Sequence, residues 1–273
     1  MLAHLKSLIE TRFPRAFALL ADLRDGRAMK DGEAEMCLLR EIVSAGETAC
    51  DVGANRGLYS FWLLRLGARV FAFEPNPRLV RIMRLRFRRA LAEGRLTVTA
   101  CAASDRAGDA VLHVPSEASA LATVENAAIA RMDGTTAEDM NVPRARLDDL
   151  VREETVDFVK IDVEGHELAV VEGARTIIGR DLPTLLIEAE ERHRPGAVAS
   201  LRTALAPFGF EGFYFDQGRL HPIAGFDPPR HQNIGALNAA GTLKRPGTTY
   251  INNFLFVARP EVRARLGGRI VEG

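Results

Sequence analysis

From residue 47 onward, short apolar runs alternate with stretches whose apolar residues recur at helical spacing. The runs Thr48–Val52, Val70–Glu74, Leu96–Ala102, Val156–Asp162, Thr184–Glu188, Gly212–Asp216 and Asn253–Ala258 predict seven strands. Several are apolar at nearly every position, as strands covered on both faces are. Between them, Leu58–Leu66, Arg78–Glu93, Glu167–Ile178 and Ala197–Phe208 predict helices. Pro77 suits the first turn of the second of these, where a missing N–H costs little. This rhythm predicts βαβ units, and so a doubly wound α/β fold around a mostly parallel sheet.

Two segments break the rhythm. Ala103–Pro143 contains one predicted strand, Ala110–Val114, and then small and polar residues that suit a flap over a pocket. Phe226–Thr249 carries Pro228, Pro229 and Pro246 with Gly235, Gly241 and Gly247. It is too long for a routine connection, and such loops are usually functional. Both are expected on the substrate side. The first residues, MLAHLKSLIETRFPRAFALLADL, have apolar positions at helical spacing, interrupted by Lys6, Glu10, Arg12 and Arg15. They predict an amphipathic helix covering the domain; a membrane-surface helix is the lesser alternative. With no interdomain linker in sight, residues 1–44 are expected to be a helical extension and residues 45–273 a single domain.

Composition narrows the class. Lysine plus arginine number 36, and so do aspartate plus glutamate, which leaves a formal net charge of zero. A neutral chain lacks the overall field of a nucleic-acid binder, although a local basic patch would supply one. Cys37, Cys50 and Cys101 form no CxxC pair and predict neither a disulfide framework nor a zinc site. Reduced thiols and no apolar run long enough to span a bilayer lead to an expected cytoplasmic location.

The segment Asp51-Val-Gly-Ala-Asn-Arg-Gly-Leu-Tyr-Ser60 reads as a strand end, a glycine-punctuated turn and a helix start. That is how a nucleotide cofactor approaches the backbone of an α/β sheet. Gly53 and Gly57 remove side chains where the chain turns tightly. Asp51 would repel the pyrophosphate of a dinucleotide but suits the sulfonium and amino group of S-adenosylmethionine. The run also lacks GxGxxG. The next strand ends at Glu74, about 20 residues further on, where a carboxylate accepts from both ribose hydroxyls. Taken singly, Asp51 is equally a cap for the following turn and Glu74 a surface carboxylate; together, at this spacing, they favour a cofactor. Asn55 either meets the amino-acid end of the ligand or holds the turn.

These residues, followed by Phe73-Glu-Pro-Asn-Pro77 and Val159-Lys-Ile-Asp-Val-Glu-Gly-His-Glu167, resemble the FkbM family of methyltransferases. The resemblance covers Asp31 to Arg194, and Asn252-Asn-Phe-Leu-Phe256 is similar to the family's ending. It implies a Rossmann-like class I methyltransferase fold, with seven strands and an antiparallel strand near one edge. It also implies S-adenosyl-L-methionine as cofactor and O-methylation of a hydroxyl on a sugar, glycan or secondary metabolite. The implied cofactor residues are Asp51, Gly53, Asn55, Gly57, Tyr59, Ser60, Glu74, Pro75, Asn76, Ser104, Asp105 and Asp162. Asp105 would accept from the adenine amino group, or is simply a polar turn residue.

Methyl transfer to a hydroxyl needs alignment and gains from a base. Asp162, Glu164 and His166 follow the fourth long strand; Glu188, Glu190 and His193 follow the fifth. Both groups belong at the carboxyl ends of strands, where α/β sites lie. Asp162, Glu164, His166, Glu188 and His193 are therefore the candidate catalytic residues, with His166 or His193 as base. A bland alternative for Lys160 is a helix-covered face with its ammonium reaching outward. The carboxylates raise the question of magnesium, but their spacing does not require it, and no metal is assigned. Arg78, Arg81, Arg84, Arg86, Arg88 and Arg89 read as a solvated helix face, or less readily as a contact for an anionic carrier. Rival readings are a nicotinamide-dependent oxidoreductase and a cofactor-binding protein without transfer activity.

Overall fold

The computed structural model describes residues 14–27, 34–115, 122–125, 137–238, 241 and 243–272. The apolar runs become β1 (Thr48–Val52), β2 (Arg69–Phe73), β3 (Leu96–Thr99), β4 (Ala102–Ala103), β5 (Gly108–Pro115), β6 (Ala137–Ala145), β7 (Phe158–Ile161), β8 (Thr184–Glu188), β9 (Glu211–Asp216), β10 (Arg219–Pro222) and β11 (Asn253–Val257). The main sheet has the order β10-β9-β11-β8-β7-β1-β2-β3. Its β1, β2, β3, β7 and β8 run parallel, and β11 runs antiparallel between β8 and β9. The fold is thus the expected Rossmann-like class, with an antiparallel strand near one edge.

The sheet has eight strands where seven were expected. The extra one, β10, returns from β9 through Gln217 and Gly218, both left-handed (φ 48° and 80°). Two successive left-handed residues suit a tight hairpin. Its residues Arg-Leu-His-Pro carry too little apolar alternation to announce a strand.

Alternation through each strand divides the core between two faces. Ala49, Val70, Ala72, Phe158, Leu186 and Leu255 pack with the Leu58–Arg65 and Pro77–Arg86 helices. Cys50, Val52, Phe71, Val159, Ile161, Leu185 and Ile187 pack under the Glu167–Glu172, Arg175–Asp181 and Ala197–Leu205 helices. Two predicted helices are broken by contacts elsewhere. The run Arg78–Glu93 divides at Phe87, whose ring lies against Gly57. The run Glu167–Ile178 divides at Gly173, where a Cβ would sit 1.9 Å from the Ser104 carbonyl oxygen. Asp148 then accepts from the N–H groups of Thr176 (3.1 Å) and Ile177 (3.0 Å), starting the next helix.

The Ala103–Pro143 region holds more than one strand. β5 and β6 pair antiparallel and β4 joins β6, forming a separate three-stranded sheet. Only Ala102, Leu112, Val114 and Val142 form its buried cluster, so its sequence lacked a strong apolar signal. The rest of the expected flap, 116–121 and 126–136, lies outside the described residues, as do residues 1–13 of the N-terminal segment. From that segment a helix runs Pro14–Asp25, and the Asp25 carbonyl accepts from Trp62 Nε1 at 2.9 Å. No helix among the described residues is long and apolar enough to cross a membrane. All three cysteines are free.

Candidate active site

Register decides which polar strand-end residues meet. Asp51 pairs with Lys160, Lys160 with Leu186, and Glu188 with Asn253. A period of two then aims Asp51, Lys160 and Glu188 to the same face at the carboxyl ends of three adjacent strands. All three line one open cleft, together with Asp162, Glu164, Glu190, Tyr59, Tyr250 and Asn252.

A second, smaller cavity adjoins it, walled by Glu74, Pro75, Leu79, Cys101, Ala102, Ala103, Leu112, Ala122, Thr123, Val124, Val163 and His166. Gly53, Asn55, Asp162 and Glu164 border both spaces and form the passage between them. Asn55 and Glu164 are left-handed without being glycine (φ 52° each). Such strain gathers at sites that need a fixed turn.

Asp51 is buried, and its carboxylate accepts from Ser60 N (2.8 Å) and Ser60 Oγ (2.6 Å). It therefore anchors the start of the following helix, as the capping reading expects, and it also lines the cleft. Burial raises its pKa to about 6, against the lowering effect of Ser60. Glu74 is also buried; its two oxygens accept from Asn55 N (2.7 Å) and Asn76 N (2.8 Å). Burial outweighs these bonds and pushes it to about 7. An aligned carboxylate oxygen has lone pairs beyond the one each N–H uses, so Glu74 can still accept from a vicinal diol. Asn76 caps the Pro77–Arg86 helix by accepting from Arg78 N at 3.0 Å.

The two glycines are demanded by the protein itself. A Cβ on Gly53 (φ 75°) would lie 1.8 Å from the Asp162 carbonyl oxygen, and one on Gly57 (φ 80°) 2.5 Å from the Phe87 ring. Ser104 and Asp105 do not border either cavity. Ser104 is buried and Asp105 points outward, bonded to Ser104 Oγ (3.0 Å) and Arg106 (3.3 Å). Cys101, Ala102 and Ala103 take the wall position instead.

Lys160 does not take the outward-reaching alternative. Its side chain is 1% exposed, donates to Asn253 Oδ1 (3.1 Å) and the Ile161 carbonyl (3.2 Å), and lies 5.0 Å from the Tyr59 ring centre. Its ammonium is 3.9 Å from Asp162 and 4.0 Å from Glu188, a buried cation beneath the carboxylate wall. Asn252 donates to Glu188 at 2.6 Å. In the sequence these asparagines stood out only within the run similar to the family's ending; nothing in their spacing assigned them to the wall.

Glu164 is half-buried, and desolvation, Asp162 and Glu190 all push its pKa well above the ordinary glutamate value. His193 Nε2 lies 3.1 Å from Glu164 and 3.5 Å from Glu190, behind the cleft lining. Both nitrogens of His166 are engaged, Nδ1 with Glu125 (2.5 Å) and Nε2 with Ser104 Oγ (2.9 Å). His166 therefore binds the 122–125 strip to the wall of the smaller cavity. Glu164, Glu190 and His193 bring ligand-type atoms within 4.8 Å of one another, a spacing a divalent ion could use. Arg192, however, already forks onto Glu190 (2.6 and 2.8 Å), where Tyr250 also donates. Burial would raise Glu190, but His193, Arg192 and Tyr250 together hold it at about 2. Positive charge at this corner thus comes from a guanidinium. Sequence reasoning missed Arg192 and Tyr250, and Gln232, which ties the Phe226–Thr249 loop to the Ala189 and Ile251 carbonyls (2.7 and 2.8 Å).

The sequence model of the methyltransferase FkbM domain matches residues 51–211. No curated protein matches the chain. Among solved structures the chain is similar to methyltransferase FkbM from Methylobacillus flagellatus KT, at 20% identity and a TM-score of 0.50. That likeness concerns the fold; it covers 78% of this chain and 44% of that protein, so the chain spans less than half its length. A putative rRNA-methylase from Clostridium thermocellum (10% identity, TM-score 0.46) is covered over 96% of its length by 88% of this chain. Aeropyrum pernix fibrillarin, in complex with natively bound S-adenosyl-L-methionine, gives 14% identity and a TM-score of 0.42 over 79% of this chain and 68% of that one.

Proposed function

The chain belongs to the FkbM methyltransferase family, and on that premise we propose that it uses S-adenosyl-L-methionine to methylate a hydroxyl oxygen of a sugar, glycan or secondary metabolite. The observation that carries this reading is the pair of joined spaces: one contains the buried, doubly held Glu74, the other an acidic wall on three strand ends. When bound, S-adenosyl-L-methionine supplies an electrophilic methyl group on a sulfonium. Glu74 would accept from the ribose hydroxyls, while Cys101–Ala103 and Val163 would enclose the base in place of Asp105. Asp51, Asn55 and Tyr59 would meet the amino-acid end, where the buried Asp51 carboxylate disfavours a pyrophosphate. The passage at Gly53, Asn55, Asp162 and Glu164 is then where donor and acceptor adjoin. Within this reading the Pro14–Asp25 helix serves as a wall to a single transferase domain, and the protein works in the cytoplasm.

Glu164 is the residue we assign to accept the hydroxyl proton. It borders the passage, and its raised pKa makes it a better base than an exposed carboxylate. His193, directly behind it, orients it. Glu164→Gln should lower turnover about a hundredfold while leaving donor affinity nearly unchanged, measured by steady-state kinetics beside calorimetric titration. Unchanged turnover would remove Glu164 from this role.

The reading as a whole is tested by titrating the purified protein with S-adenosyl-L-methionine, using NADH and NADPH as controls. Saturable binding of the methyl donor alone, then methylation of a hydroxylated acceptor, is expected. Preference for a nicotinamide cofactor would overturn it.

A further inference from the structure

Arg86 was expected on a solvated helix face, and most of its arginine neighbours are there: Arg78, Arg81, Arg84, Arg88 and Arg89 are exposed. Arg86 is not. Its side chain is 0% exposed, between the rings of Phe61 (5.0 Å) and Phe87 (4.8 Å). On one side it contacts the Pro14–Asp25 helix: Nε donates to Asp22, and Nη1 lies 2.8 Å from Asp25 Oδ2. On the other side Nη1 donates to the carbonyls of Arg56 (2.8 Å) and Gly57 (3.3 Å), which belong to the glycine turn.

A buried cation is costly unless it is paired and hydrogen-bonded, and an apolar contact would dock a helix at lower cost. What this arrangement adds is a link between two elements that face the same space. Leu23, Arg24, Asp25 and Arg27 line the open cleft opposite Asn55 and Arg56 of the turn. One guanidinium therefore spans from the helix on one wall of the cleft to the glycine turn on another.

We propose that Arg86 is a positioning residue that couples docking of the N-terminal helix to the conformation of the cofactor turn, so that ligands on the two sides reinforce each other. The inference rests on the donor-binding reading above. Coupling is reciprocal: a donor that fixes the turn also fixes the helix, and an acceptor held against Leu23–Arg27 favours the turn that binds donor.

The test uses the full chain, with S-adenosylhomocysteine as the probe, in calorimetric titration and in hydrogen exchange over residues 14–25. Arg86→Lys keeps the charge but loses the fork. It should weaken binding about fivefold or more and abolish the ligand-induced slowing of exchange expected in the wild type. Trp62→Phe, which removes the hydrogen bond to the Asp25 carbonyl and some core volume but leaves both guanidinium links in place, should lower the unfolding temperature while retaining affinity and the slowing. Wild-type affinity in Arg86→Lys, or equal losses in both variants, would overturn the coupling alone. Should Arg86→Lys not fold, Asp25→Asn is read by the same two measurements with the same expected outcome. A wild type that does not bind the probe would instead sink the donor reading, and the coupling with it.

Discussion

Replacing Glu74 with alanine is expected to weaken binding of S-adenosyl-L-methionine by about 10²- to 10⁴-fold. On the proposed reading the variant would lose two hydrogen bonds from ribose hydroxyls to a charged acceptor, each worth about 1.5–3 kcal/mol, and about 1.4 kcal/mol corresponds to a factor of ten. It also leaves the N–H groups of Asn55 and Asn76, now held at 2.7 and 2.8 Å, without their acceptor. The same residue gives the wild type a pH signature. Burial holds Glu74 at about 7 in the protein alone, and the diol is best held by the ionised form. Donor affinity should therefore rise with pH and level off above 7, falling about tenfold per unit below it. Asp51, at about 6, adds a second proton lower down. Stability without ligand runs the opposite way. The folded pKa of Glu74 exceeds the ordinary 4.5, so its contribution is full below 4.5 and is lost as pH rises through about 7. Glu74→Gln should remove the binding step near pH 7, as measured by titration calorimetry across pH. A step that persists unchanged in that variant would show that another group is responsible.

Gly53→Ala is expected to cost about 3–5 kcal/mol of stability and to abolish measurable donor binding. A left-handed backbone alone costs an L residue about 1–2 kcal/mol. The larger effect is the added Cβ, which would stand 1.8 Å from the Asp162 carbonyl oxygen. Backbone must move, because no flexible side chain is there to yield. Movement pulls the end of β1 from that of β7 and breaks the 2.9 Å bond from Asp162 N to the Val52 carbonyl. The passage between the two cavities is built from those same residues. Gly46→Ala supplies the control: it is equally left-handed (φ 87°) but has nothing within 4 Å of the added carbon. It should cost only the backbone strain, about 1–2 kcal/mol, by denaturant unfolding. Equal losses in the two variants would refute the steric account.

Much of this molecule was legible along the chain. β1 and β8 have the bounds their apolar runs indicated, and the other long strands differ by a few residues at their ends. Strands covered on both faces must be apolar almost throughout, and that signal is local. β6 and β10 were not legible, because each has few buried apolar positions and is specified by its partner: β6 by eight paired residues of β5, β10 by a left-handed turn. Helix interruptions at Phe87 and Gly173 likewise come from residues far away in sequence, Gly57 and Ser104.

The site divides the same way. Asp51, Glu74 and the glycine turn are close in sequence and obey one geometry, so their grouping could be read directly. Asp105 and His166 lie near in sequence to the same space, yet one faces outward and the other has both nitrogens engaged. Lys160 and Arg86 look alike as cations in helical or strand contexts that reach solvent; packing buries both. Sequence by itself determined the class of fold, the family and the glycine turn at the end of β1, because periodicity and short motifs depend on neighbours within a few residues. Only the tertiary structure decided which carboxylates share a wall, which cation balances them and which helix closes the cleft. Those depend on strand register and on burial, which bring together residues more than 100 positions apart, as Asp51 and Lys160 are.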